Sequence, residues 1–387
     1  VSAPGADATA AWHEFLDGLR DLDQTFLTGP KAVDDDRGVS DGYRTLATAA
    51  GIALDTYLFA DPSRPMLIDL VTPTRRDRRW GGDNTDCWYS FAPIDPARTY
   101  RVTGTRGDSA YFCFTVYNEP EPGAFSTRID VNLNDTDLTI DGDGRFEFTM
   151  GPRRPDGHDG LFVELAPDAR IAFTRDYQVE PATGRRTTWA IESLDPPEPL
   201  PRTSAATATA LRAGLRWIQT LFGIVPLHLG PADPDTQLGH NSPVVLNEFA
   251  EPYRVENATY GWSAFDATYS FATFTLRPDE ALVVTHRPPD CRFWNLVTWN
   301  AFMATEGLAD GRTSINHGQA VPNADGTVTI VVGHDLLDHP NAVSTAGRTH
   351  GALAFRWFLA DTLPDAPTLR VVAVTDLPPG PPRPTMS

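Results

Sequence analysis

With 387 residues, 41% of them hydrophobic and 21% charged, the chain has an ordinary globular balance and enough length for two or three cores. Its formal charge of −19 repels a phosphate backbone and an anionic lipid surface, which argues against nucleic acid and acidic membranes as partners. Lys31 is the single lysine and sits in a Gly-Pro turn, so Schiff-base and P-loop chemistry are discounted.

Residues 1–65 read as an N-terminal helical segment. Trp12, Phe15, Leu19, Leu22 and Phe26 recur at steps of three and four, and Tyr43, Leu46, Ala50, Leu54 and Tyr57 repeat that spacing. Gly29-Pro30 and Asp34-Asp35-Asp36 separate the two runs, and Asp61-Pro62 closes the second. Both stripes are expected to cover part of a sheet.

From residue 66 the period changes to two, and residues 66–194 read as a first β domain. Arg98 to Gly104 alternates, and Arg106-Gly107-Asp108 reads as a hairpin tip despite its match to an adhesion tripeptide. Leu138-Thr-Ile140 and Arg145-Phe-Glu-Phe148 flank Asp141-Gly-Asp-Gly144, a hairpin signal. That acidic cluster lacks the alternating ligands and terminal glutamate of a calcium loop. Residues 195–240 combine the linker Asp195-Pro-Pro-Glu-Pro-Leu-Pro201 with a connecting helix. Thr203 or Ser204 caps it, and Leu211, Leu215, Ile218 and Phe222 share a face. Residues 241–376 read as a second β domain, and the tail 377–387 is too rich in proline to fold.

The two β stretches carry the same unit. Asp86-Cys-Trp-Tyr-Ser-Phe-Ala92 is echoed by Asp266-Ala-Thr-Tyr-Ser-Phe-Ala272. At nearly equal separations there follows an aromatic strand ending in Asn, Ala110 to Asn118 in one copy and Cys291 to Asn300 in the other. The expected fold is therefore mainly β: two jelly-roll-like antiparallel domains with a cleft between them. No Gly-rich loop follows a strand and opens a helix, so no nucleotide cofactor is expected. Cys87, Cys113 and Cys291 occupy apolar, strand-like contexts without disulfide-framework spacing, which reads as reduced core thiols. With no membrane-length apolar run and no signal-peptide pattern at the start, the location expected is cytoplasmic.

The most polar motif is Arg75-Arg-Asp-Arg-Arg-Trp-Gly-Gly-Asp-Asn-Thr-Asp86. Its glycines permit close backbone approach to a ligand, and Trp80 offers a flat face. Asp83 and Asp86 form a carboxylate pair that would divide acid and base roles if arginines hold one ionised and burial raises the other. The competing reading has Asp86 and Asp266 pin the same turn in both copies. His317, in Asn316-His317-Gly-Gln319, is a candidate general base or a satisfied structural group. His334, His339 and His350, with Asp335 and Asp338, lack metal-ligand spacing, so no metal is expected. No Gly-x-Ser-x-Gly elbow exists. Trp80, Asn84, Tyr117, Trp262, Trp294, Trp299 and Asn316 are the candidate substrate-binding residues, although most of these rings should fill the core.

Asp279-Glu280-Ala-Leu-Val283, Pro289-Asp-Cys-Arg-Phe-Trp-Asn295, Trp299-Asn300, Ser314-Ile-Asn316 and the segment from Gly351 to Arg356-Trp357 resemble the bacterial DUF1214 family, often paired with a DUF1254 region. The resemblance covers mainly residues 245–376, and the first unit shares it through Tyr100 to Gly104 and the aromatic strand. It implies a β-jelly-roll-like fold and assigns no catalytic residue. The function expected is a metal- and cofactor-independent enzyme (hydrolase, lyase or isomerase) using acid–base catalysis on a small ring-containing or hydroxylated molecule. Asp83, Asp86 and His317 would move the proton. The alternative is a non-catalytic binding protein for a carbohydrate or lipid-like ligand. The expected partner is that small molecule, without nucleic acid or membrane insertion, and a homo-oligomer is left open.

Overall fold

The computed structural model describes residues 4–74, 78–227, 246–255, 261–306, 312–335 and 337–382; residues 75–77 of the arginine motif, 228–245 and the end of the tail lie outside these. Among the described residues four α-helices are present: α1 (Ala6–Leu22), α2 (Gln24–Leu27), α3 (Asp36–Ala53), which runs on into a π-helical turn at Leu54–Leu58, and α4 (Ser204–Ile224). Caps set their ends. Asp35 accepts from the Gly38 amide at 2.6 Å, and Thr203 accepts from the Ala206 amide at 3.1 Å. Ser204 instead ties the helices together, its hydroxyl accepting from Ala8 N at 2.9 Å. Lys31 closes the other end of α4, donating to the carbonyls of Gly223 and Ile224 at 2.9 and 3.2 Å, where a cation complements the helix dipole. Phe15, Phe26, Leu46, Ala49 and Ile52 are buried, while Trp12 and Tyr43 are not. The buried stripes are therefore narrower than their periodicity predicts, because α1 and α3 pack chiefly on α4 and leave Trp12 and Tyr43 outside that contact.

The first β unit holds β1 (Ile68–Val71), β2 (Cys87–Pro93), β3 (Tyr100–Thr105), β4 (Tyr111–Asn118), β5 (Ile129–Asn134), β6 (Arg145–Gly151), β7 (Phe162–Glu164), β8 (Ala169–Tyr177) and β9 (Thr188–Ser193). The second holds β10 (Tyr253–Arg254), β11 (Ala267–Thr275), β12 (Glu280–His286), β13 (Phe293–Trp299), β14 (Ser314–Asn316), β15 (Val328–Gly333), β16 (Ala342–Ser344), β17 (His350–Phe358) and β18 (Thr368–Ala373). Sheet orders are β1-β2-β8-β4-β5 with β7-β6-β3-β9, and β10-β11-β17-β13-β14 with β16-β15-β12-β18. Adding nine to each strand number of the first unit reproduces the second, including the parallel pairs β6–β7 and β15–β16. Registers agree as well: Tyr89 lies opposite Arg175 where Tyr269 lies opposite Arg356. The duplicated unit is thus two open sheets, of five and four strands. Jelly-roll closure is a narrower description than this pairing supports.

One expected strand is absent. Leu138 to Ile140 is unpaired; Asp141 accepts from the amides of Asp143 and Arg145, and β6 pairs with β3 instead. The reason is burial, since Leu138 and Ile140 plug the sandwich rather than join a ladder. The Arg106-Gly-Asp108 turn is held by an ion pair of Asp108 with Arg185 at 2.7 Å.

Strand parity gives each five-stranded sheet two jobs. Phe112, Phe114 and Val116 face inward with Val102, Phe148 and Met150, and Trp294, Leu296 and Phe355 do the same in the second sandwich. The opposite faces of the two large sheets meet each other, with Tyr111 against Phe358 at 4.7 Å and Tyr177 against Phe293 at 5.3 Å. The helices complete this third core.

His286 lies deep in the second sandwich, 4.5 Å from the Trp294 ring and 4.4 Å from that of Phe355, with no partner on either nitrogen. Burial pushes its pKa down to about 3 from 6.5. The unfolded chain takes up a proton that the folded one excludes, so this group costs stability as pH falls below 6.5. Relative to His286→Phe, the wild type should lose up to about 5 kcal/mol on going from neutral pH toward 3, followed by urea unfolding at stepped pH. A difference between the two proteins that does not change with pH would show the imidazole to be protonated in the fold.

Candidate functional site: a cavity between the repeats

The loop that precedes β2 must bend back sharply, and it does so with Gly81 and Gly82 at φ 70° and 71°. A Cβ on Gly82 would also meet Met303 and Trp299 at 3.3 Å. Gly261, at φ 71°, makes the matching bend before β11. Each loop is held by the other unit. Arg175 on β8 donates from Nη2 to the Trp262 carbonyl at 2.6 Å, and Arg356 on β17 donates from Nη2 to the Gly82 carbonyl. One residue further on, the Tyr117 hydroxyl donates to the Ser263 carbonyl and the Trp299 indole to the Asp83 carbonyl, the latter at 2.8 Å. Arg175 and Arg356 are equivalent in the repeat, as are Tyr117 and Trp299, so the two units grip each other reciprocally, as the halves of an isologous dimer do.

A cavity of about 470 Å³ remains between the gripped loops. Its roof is three indoles from three separate segments: Trp80 and Trp262 from the two loops and Trp217 from α4. Their ring centroids stand 5.3, 5.6 and 5.7 Å apart. Tyr89, Tyr177, Tyr269, Phe271 and Trp299 extend the aromatic wall. Among the described lining residues, the charged ones are Asp83, Arg175 and Arg356. Depressions of about 580 and 520 Å³ lie elsewhere, over Gly104 and Trp189 and beside Tyr57 and Glu119. Neither gathers buried cations.

The candidates from the sequence fall into three groups. Trp80, Asp83, Trp262 and Trp299 stand on the cavity wall. Asn84, Asp86, Tyr117 and Asn316 lie behind it, fully buried. Trp294 and His317 belong elsewhere. Trp294 is five residues from Trp299 on a strand of period two, so it points to the opposite face, against His286 and Phe355. His317 packs edge-on to Phe293 at 5.2 Å, and burial lowers its pKa from 6.5.

Asp83 is fully engaged. Its oxygens accept from Arg79 Nη1 at 3.1 Å, Thr305 N at 2.8 Å and Thr305 Oγ1 at 2.6 Å. Asp86 accepts from Asn295 Nδ2 at 2.7 Å, and its own amide donates to Asn84 Oδ1 at 2.9 Å. Asp266 answers it from the second unit, accepting from Tyr111 and Asn132 at 2.8 Å and from Asn134 at 3.0 Å. Both aspartates thus bind the opposite unit from equivalent positions. Among the described residues, three metal-capable side chains converge at Asp34, Asp35 and His350, where both aspartates are exposed.

Arg175, Arg356, Trp217, Tyr177 and Tyr253 line the cavity without having been site candidates from the sequence, although Arg356 lies in a segment that carries the family resemblance. A signal existed for the arginines: each stands at the same repeat position inside an otherwise apolar strand, where a charge is costly. No comparable signal marks Trp217, whose indole continues an ordinary helix face.

Two stretches of the chain, residues 90–180 and 273–362, match one family model described as a protein of unknown function, DUF1214. The chain belongs to the DUF1214 family. The double match places the family's unit once in each repeat. No curated protein matches the chain. It is similar over its whole length to a putative uncharacterised protein from Burkholderia cenocepacia, at 25% identity, TM-score 0.79, and coverage of 96% of this chain and 100% of that one. The VPA0106 protein from Vibrio parahaemolyticus, at 11% identity, TM-score 0.50 and coverage of 85% and 96%, shares the fold alone. No helix among the described residues is long and apolar enough to cross a membrane.

Burial raises the Asp86 pKa from 3.8 to about 6, against the opposing pull of Asn295 and Asn316. The folded state therefore holds its proton more tightly than the unfolded chain. That contribution is complete below pH 3.8 and is lost as pH rises through about 6. Compared with Asp86→Asn, the wild type should lose about 3 kcal/mol between pH 4 and 7 in chemical unfolding. A flat difference would mean that Asp86 is already ionised in the fold at acid pH.

Proposed function

We propose that this DUF1214 protein uses the inter-repeat cavity to bind a small ring-bearing molecule. The observation that carries this reading is the convergence of Trp80, Trp217 and Trp262 from three separate segments onto one roof. Filling a core does not require three loosely related segments to leave about 470 Å³ open beneath their rings, and that volume suits a ring with a short substituent. Indole faces stack on aromatic or sugar rings and favour apolar surface generally, which keeps sugars and lipid-like molecules within the class.

Binding is favoured over turnover on one ground. Asp83 is the carboxylate on the wall, and three donors already occupy it. Acid–base work at Asp83 would first require its release from Arg79 and Thr305, and Asp86 and His317 stand outside the lining. The enzyme reading predicts that Asp83→Asn abolishes product formation with affinity intact. The binding reading predicts no product from the wild type.

A ligand in this cavity should quench tryptophan emission, because three of its contacts are indoles. Incubating the chain with a metabolite mixture and analysing both retained molecules and new products by mass spectrometry identifies what binds. Trp262→Ala should weaken that molecule by roughly 10-fold or more, the cost of losing one stacked ring. Retention of nothing, or full affinity in Trp262→Ala, would remove the cavity from consideration.

A further inference from the structure

We propose that the ring-bearing ligand is an organic acid, its carboxylate held by Arg356 in a space that Arg175 and Trp80 also line. This inference rests on the cavity reading above and narrows the ligand class.

Arg175 and Arg356 are 3% and 4% exposed, and neither makes an ion pair among the described residues. Arginine cannot discharge by losing its proton, so both guanidinium groups remain cationic in a water-poor site. An unpaired buried cation costs several kcal/mol, which a fold retains where a ligand supplies the counter-charge. Asp83 and Asp86 are both close enough to act electrostatically on Arg356, yet the oxygens of Asp83 are taken by Arg79 and Thr305, and Asp86 accepts from Asn295 behind the cavity.

Stacking meets only part of the need. Arg356 lies over Trp299 at 5.2 Å and Tyr269 at 5.6 Å, and Arg175 over Phe173 at 4.5 Å and Tyr117 at 5.8 Å. These rings address the face of the guanidinium, whereas its N–H bonds lie in the plane and require acceptors. Both arginines spend Nη2 on the opposite loop, a structural duty present in each copy. Arg356 then has Nε and Nη1 left buried with no acceptor among the described residues, and Trp80 has Nε1 in the same condition. The three unmet donors and the positive charge belong to residues that line one aromatic cavity, and an acceptor-rich anion attached to a ring would satisfy them. A neutral ligand would leave the guanidinium without a directly bonded counter-charge.

The test uses the full chain and matched acid–amide pairs: benzoate with benzamide, 2-naphthoate with 2-naphthamide, and biphenyl-4-carboxylate with its amide. Affinities are measured by calorimetry and by quenching of tryptophan emission. At least one acid is expected to bind ~10-fold or more tightly than its isosteric amide, the margin of a charge-assisted contact. Arg356→Met is expected to erase that margin by weakening the acid alone, and Arg356→Lys to keep part of it. Equal binding of acid and amide to the wild type overturns the anion assignment and leaves the cavity reading standing. Equal weakening of acid and amide in Arg356→Met overturns it too, since Arg356 would then only hold the loop. Failure of all three acids to bind overturns the anion assignment, and the metabolite incubation described above decides the cavity reading separately. Should Arg356→Met not fold, the wild-type contrast between acid and amide decides.

Discussion

Two guanidinium groups, each reaching across to a backbone carbonyl of the other repeat, hold the site together. Arg175 grips the loop at Trp262, and Arg356 grips the loop at Gly82. A hydrogen bond from a charged donor contributes about 1.5–3 kcal/mol when both groups are buried, and breaking one leaves a cation and a carbonyl unsatisfied together. Both grips cross from one unit to the other. The cavity is the space left when each repeat completes the other, so a single repeat would carry the strands of the fold and no site.

That arrangement explains why the five-stranded sheets are buried on both faces. One face closes a sandwich with Phe112, Phe114 and Phe148, or with Trp294, Leu296 and Phe355. The other meets the second repeat and the helices. In the four-stranded sheets β9 and β18 keep exposed positions on the edges, and the outer face of the second sheet buries Ala281, Val283 and Val331 under Leu337, Val374 and Leu377. Aromatic residues appear on both parities of β4 and β13 for this reason, which makes ring content alone a poor guide to which rings meet a ligand.

Function in a duplicated protein should be sought where the copies differ. Asp83 corresponds to Ser263, Asn295 to Cys113, and Trp299 to Tyr117, while the arginine grip is the same in both. Trp217 has no counterpart, because α4 lies between the repeats and occurs once. The indole roof, the engaged Asp83 and the leftover donors of Arg356 all belong to this asymmetric set. Asp86 and Asp266 belong to the shared set, each tying its loop to the opposite unit.

The repeat itself was legible in the sequence, since Asp86 to Ala92 and Asp266 to Ala272 share their letters and strand parity is a local property. So were the caps at Thr203 and the glycine bends at Gly81 and Gly82, which are set by side-chain chemistry within a few residues. Trp80, Asp83, Trp262 and Trp299 could be placed near a ligand because they sit in or beside the repeated loops. Trp294 illustrates the limit: its distance from Trp299 already put the two on opposite faces, but only the packing showed which face was open. Arg175 and Arg356 acquire their meaning from carbonyls in the other repeat, and Trp217 from a helix laid across both. Local chemistry determined the elements and their duplication; contacts between residues far apart in the chain decided what the elements enclose, because an isologous grip has no signature within either half.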